Sequence, residues 1–94
     1  MPNWKTTSVK RLIATLSQLK NEREIAAFLR DIATLREIRE MAARWEAVRL
    51  IAVGIPYRTV SRQTGLSTAT ITRVAYWLHH GTGGYKLILK RIDG

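Results

Sequence analysis

At 94 residues the chain is of single-domain size, and it is short enough that burial shared with a second copy would help to complete a core. It has no cysteine, which excludes disulfides and thiolate metal sites, and no apolar run near the ~20 residues that a bilayer span needs. A formal charge of +9 on an otherwise ordinary folded composition, 46% hydrophobic and 24% charged, points to a polyanionic partner.

The charge is unevenly placed. Acidic residues stop at Glu46 and only Asp93 follows, while Arg49, Arg58, Arg62, Arg73, Lys86, Lys90 and Arg91 lie between them unopposed. Double-stranded DNA would gain from this field through counterion release, although charge alone does not separate DNA from an anionic membrane surface. The first residues, Met-Pro-Asn-Trp-Lys-Thr-Thr, lack the continuous apolar core of a secretory signal, so a cytoplasmic address without a membrane partner is expected.

No strand pattern of period two persists, and helical spacing recurs instead. Val9, Leu12, Ile13, Leu16 and Leu19 fall on one stripe, with Lys10, Arg11 and Lys20 off it. Asn21 stands three positions before Glu24, a loose capping pattern ahead of Ile25, Ala26, Phe28, Leu29 and Ile32. Thr34-Leu35-Arg36-Glu37 is a fuller capping box. It opens a predicted helix of about five turns over Leu35–Val53, whose stripe is Ile38, Met41, Ala42, Trp45, Val48 and Ala52. Gly54 and Pro56 end it. Part of that stripe is expected to serve as dimer core.

Shorter elements follow. Tyr57–Thr64 predicts one small helix, Gly65-Leu66-Ser67 a turn, and Thr68–Leu78 a second helix capped by Ser67. His79 to Gly84 breaks the chain before a last helix over Tyr85–Ile92. The fold class is therefore all-α, a helical bundle over residues 1–94 read as one domain. Helices for dimerisation occupy about residues 8–53, a helix-turn-helix 57–78 and a C-terminal helix 85–92.

Residues 57–78 carry the functional expectation. Two helices joined by a tight glycine turn in basic surroundings form the DNA-reading helix-turn-helix pattern. Gly65 supplies the left-handed turn conformation without steric cost, and Ser61 is small where the helices must approach. Val60, Leu66, Ile71 and Val74 supply the apolar contacts between them. In the second helix Ile71, Val74, Ala75 and Leu78 should face inward, and Ala69, Thr72, Arg73 and Tyr76 outward. Methyl groups of Ala69 or Thr72 can touch thymine and threonine hydroxyls can pair with several bases. Arg58, Arg62 and Arg73 suit phosphates.

The run Gly65-Leu66-Ser67-Thr68-Ala69-Thr70-Ile71-Thr72-Arg73 resembles the reading segment of the tryptophan repressor superfamily. Continued through Tyr76-Trp77-Leu78 and Gly81-Thr82-Gly83-Gly84-Tyr85, it is more similar to the YerC/YecD-type branch of TrpR-related proteins. The resemblance implies an intertwined homodimer whose two reading heads address successive major grooves, roughly 34 Å apart, on a near-palindromic operator. By position it makes Thr68, Ala69 and Thr72 base readers and Arg58 a DNA contact. It makes Thr34, Arg44, Thr70 and Arg73 the lining of an effector pocket.

Two positions depart from that pattern. Val74 stands where the repressor has a glycine that lets an indole lie flat, and Trp77 where it has a serine that meets the ligand's amino group. A branched side chain in the slot, and an indole able to occupy it, predict that L-tryptophan is not the corepressor. Either the pocket is self-filled and DNA binding constitutive, or it takes another, unidentified small molecule whose carboxylate or phosphate Arg44 and Arg73 would hold.

Other features carry less. His79 and His80 diverge on a helix end and no cysteine assists them, so no metal site is expected. Gly81-Thr82-Gly83-Gly84 lacks the ending of a phosphate-cradling loop and reads as a connector. Glu37, Glu40 and Glu46 share a helix with Arg36, Arg39, Arg44 and Arg49 as a solvated face, and Trp4 stands alone in a polar tail. No constellation supports an enzyme or a cofactor. The expectation is a sequence-specific transcriptional regulator, a repressor by resemblance, with the DNA-binding set Arg58, Arg62, Ser67, Thr68, Ala69, Thr72 and Arg73. A helical adaptor using the same fold for protein contacts is the alternative.

Overall fold

Six helices and no strand make up residues 3–93, the part of the chain that a computed structural model describes. They are α1 (Thr7–Leu16), α2 (Glu22–Ile32), α3 (Leu35–Ala52), α4 (Tyr57–Thr64), α5 (Thr68–His80) and α6 (Gly84–Asp93). None of these helices is long and apolar enough to cross a membrane.

Side-chain caps explain most of the starts. The Thr6 hydroxyl accepts from the Val9 amide, and the Asn21 carboxamide oxygen accepts from the Glu24 amide at 3.0 Å. The Glu24 carboxylate reaches one residue further back than in a standard box, accepting from the Lys20 amide at 2.9 Å. Thr34 and Glu37 form the full reciprocal pair, at 3.1 and 2.8 Å. Helix α1 stops at Leu16, short of the predicted stripe to Leu19. There Ser17 turns its hydroxyl onto the Ala14 carbonyl, and the next amides bond three residues back instead of four.

Hydrogen bonds from Thr34, first through its backbone amide and then through its side chain, hold the Glu37 carboxyl below the ordinary glutamate range. A lowered pKa makes this carboxylate's contribution to the start of α3 complete at neutral pH, and acid removes it as pH falls through that lowered value. Thr34→Ala is expected to move the Glu37 titration midpoint back up, followed by its side-chain NMR shift against pH. An unmoved midpoint would show that the Thr34 side chain does not govern the carboxyl.

The chain divides into two compact units, one up to Ile38 and the other from Arg39. In the first, α1 and α2 are strongly amphipathic and bury no residue, and Leu12, Ile13, Leu16, Ile25 and Ile32 are exposed. In the second, Ala47 and Val48 of α3, Val60 of α4 and Ile71, Val74 and Leu78 of α5 form the core, with Trp45, Leu50, Ile51, Ile55, Leu66, Tyr85 and Leu89 around it.

The buried face of α3 differs from the predicted stripe. Val48 is on both, but Ala47 is the other fully buried residue, while Met41, Ala42 and Ala52 are exposed. Apolar side chains lie on more than one side of this helix, so periodicity cannot select the side that faces inward.

Helix α5 runs two residues past the predicted Leu78, to His80, and ends when the Gly81 amide bonds to the Trp77 carbonyl at 2.9 Å. At Gly81 the backbone passes so close to the preceding turn that a Cβ would collide with the Trp77 carbonyl oxygen. The glycine-rich connector thus serves a close approach. Gly83, in the left-handed region at φ 92°, then leads into α6 one residue earlier than predicted.

Candidate nucleic-acid interface

Helices α4 and α5 pack against each other across a three-residue turn. Gly65 closes α4 in the left-handed conformation, φ 78°, and its amide bonds to the Ser61 carbonyl at 2.9 Å. Both backbone groups of Leu66 are held from α4. Its carbonyl accepts from the Ser61 hydroxyl at 2.6 Å, and its amide donates to the Thr64 hydroxyl, which in turn donates to the Val60 carbonyl. Ser61, expected only to be small, is therefore also a tether of the turn. Its hydroxyl could serve either role, and only the fold shows which carbonyl it meets.

Ser67 then caps α5. Its hydroxyl accepts from the Thr70 amide at 3.1 Å and donates to the Thr70 hydroxyl at 3.0 Å. The two faces of α5 are separated as the spacing predicts. Ile71, Val74, Ala75 and Leu78 are buried, and Thr68, Ala69, Thr72, Arg73 and Tyr76 are exposed. With Arg58 and Arg62 on the surface of α4, all seven residues expected at DNA are accessible on one helix pair or its turn. Among the described residues the one ion pair is Arg49 with Glu46, 3.1 Å, so no carboxylate pairs with Arg58, Arg62 or Arg73.

The expected effector residues are brought together in part. Arg44, Thr70, Arg73, Val74 and Trp77 line one concavity of about 180 Å³. Thr34 belongs to the first unit, where its amide and hydroxyl are engaged with Glu37. Val74 is only 5% exposed and contributes to the core, whereas Trp77 is 51% exposed and forms a wall of the concavity.

Sequence reasoning missed Tyr85, which lines the same concavity and sits 6.2 Å from Trp45, ring centre to ring centre. An aromatic residue in the first turn of a helix after a glycine connector was the available signal. Where α6 folds back was not legible from it.

The Trp repressor protein family matches this chain over residues 7–93. The uncharacterised protein YerC of Bacillus subtilis (strain 168) is 35% identical over 82 residues, 87% of this chain and 79% of YerC. A TrpR-like protein from Eubacterium eligens ATCC 27750 superposes with a TM-score of 0.88 at 32% identity, over 95% of this chain and 92% of that one. A candidate Trp repressor from Staphylococcus aureus does so with a TM-score of 0.85, also at 32% identity, over 94% and 88%.

Proposed function

We propose, from the premise that this chain belongs to the Trp repressor family, a family of DNA-binding regulators and not of enzymes, that it is a sequence-specific transcriptional repressor. It binds a near-palindromic operator as an intertwined homodimer in the cytoplasm, and it does so without L-tryptophan as corepressor. The observation that carries the reading is the stripe Thr68, Ala69, Thr72 and Arg73. It is exposed on a capped helix that the Ser61 and Thr64 hydroxyls anchor to a neighbour bearing Arg58 and Arg62. Small side chains flanked by unpaired arginines suit base edges and phosphates respectively.

The homodimer is supported by the first unit, whose amphipathic helices present Leu12, Ile13, Leu16, Ile25 and Ile32 without covering them. Apolar stripes of this kind are stable in water when a partner buries them. Independence from tryptophan is supported by Val74, a buried branched side chain where the resemblance to the repressor places a glycine, and by the bulk of the Trp77 wall. The space beside Trp77 leaves room for another small-molecule effector, held through Arg44 and Arg73.

Selection of bound sequences from a random duplex pool tests the function. One enriched, near-palindromic sequence is expected, with affinity falling steeply as salt rises. Arg58→Ala should weaken binding to all sequences alike and lower the salt slope by about one. Calorimetric titration of the protein with L-tryptophan should give no saturable micromolar binding. Shallow, sequence-blind binding would instead favour a protein-contact role, and tight tryptophan binding would overturn the effector assignment.

A further inference from the structure

A larger, open concavity of about 350 Å³ also adjoins Trp77, lined by Trp77, Gly81, Thr82, Gly84 and Tyr85. Small-molecule sites begin at about 300 Å³, so it is large enough for one. It shares Trp77 and Tyr85 with the smaller concavity but contains neither Arg44 nor Arg73. Each of its two rings is steadied by a different aromatic neighbour. Trp77 meets Tyr76 edge-on at 5.5 Å, Tyr85 packs against Trp45 at 6.2 Å, and half of the indole stays exposed.

Of the three glycines in the connector, the fold accounts for two. Gly81 passes too close to the Trp77 carbonyl for a side chain, and Gly83 is in the left-handed region at φ 92°. Gly84, the first residue of α6, has neither reason. Its φ lies outside that region, and a Cβ there would meet no atom within 4 Å. Alanine would serve the helix better. What glycine provides at the edge of a concavity is bare backbone that a ligand can approach closely.

Charge selects among ligands. The Lys86 ammonium donates to the His79 carbonyl at 3.4 Å, across the connector, and no acidic residue occurs from Ala47 to Ile92. Independently of the DNA-binding reading, we propose that this concavity binds a planar aromatic acid. Its ring packs against Trp77 and Tyr85 and reaches the bare Gly84 backbone, while the Thr82 hydroxyl and the nearby Lys86 favour its negative charge. An ammonium group on the ligand would be repelled by Lys86, which sets this class apart from the amino acids.

Naphthoate is the probe, titrated into the isotope-labelled protein and followed by NMR. Saturable shifts are expected at the amides of Gly81, Thr82, Gly84 and Tyr85. Naphthylmethylamine, of like shape and opposite charge, should bind about tenfold more weakly. Gly84→Ala should unfold at the same temperature or higher and still lose about tenfold of the naphthoate affinity, because the new methyl group fills the approach. Trp77→Leu, at a half-exposed position, should stay folded and lose a similar factor.

Absence of saturable shifts would overturn the proposal. So would shifts centred on Thr70 and Arg73, which would put the ligand in the smaller concavity. Equal binding of acid and amine would refute the ligand class, and unchanged affinity in Gly84→Ala would refute the site. If Gly84→Ala unfolds at a lower temperature, the glycine belongs to the fold and Trp77→Leu decides, with unchanged affinity there overturning the site.

Discussion

Ile71→Ala is expected to lower the free energy of unfolding by about 2–5 kcal/mol, the range for truncating a buried isoleucine or leucine. Ile71 has no exposed surface, and in the core cluster it joins Val48 of α3, Val60 of α4 and Val74 and Leu78 of its own helix. Removing three carbons there leaves a void at the point where the two helices of the reading element are locked together. Because small domains are stabilised by only about 5–15 kcal/mol, the loss would be a large fraction of the whole. Urea denaturation at matched protein concentration is the measurement, with a reduced midpoint at unchanged slope as the expected signature. Thr72→Ala, next to it but facing outward, should stay within about 0.5 kcal/mol. Equal stabilities of the two variants would contradict the assignment of faces on α5.

The combined variant Ile13→Glu, Leu16→Glu is expected to abolish the proposed homodimer, and with it about 10²–10⁴-fold of operator affinity. That is the range gained when two linked heads bind two half-sites together. The two residues are 42% and 44% exposed on α1, so a charge there costs an isolated chain little, whereas burying two carboxylates in a shared core is prohibitive. Sedimentation velocity would show the mass halved, and filter binding the loss of affinity. A variant that still sediments as a dimer would place the subunit contact elsewhere. One that is monomeric yet binds the full operator unchanged would remove the need for two heads.

Both expectations depend on features that were unequally legible in the sequence. The inward face of α5 could be read from spacing alone, because Ile71, Val74, Ala75 and Leu78 recur at i, i+3, i+4 and i+7 and nothing apolar but Ala69, Tyr76 and Trp77 competes with them. The inward face of α3 could not. Leu50 and Ile51, left off the predicted stripe, line the core, while Met41, on it, is exposed. When apolar residues surround a helix, the partner elements choose which of them are buried. The concavity beside Trp77 was half legible in the same sense. Arg44, Thr70, Arg73, Val74 and Trp77 meet as expected, but Tyr85 arrives from α6, forty-one positions along the chain from Arg44.

What the sequence determined by itself is local in range. The order of the six helices, the caps at Asn21, Thr34 and Ser67, the left-handed glycine at position 65 and the division of α5 into two faces each depend on residues within about two helical turns of one another. Their physics can therefore be read along the chain. Tertiary structure decided the rest: Ala47 in the core and Tyr85 beside Trp45. It also decided which apolar residues of α3 line the core, with Leu50 and Ile51 against it and Met41 exposed. A helix with apolar residues on more than one side buries the side that its neighbours cover, and sequence spacing carries no record of that choice.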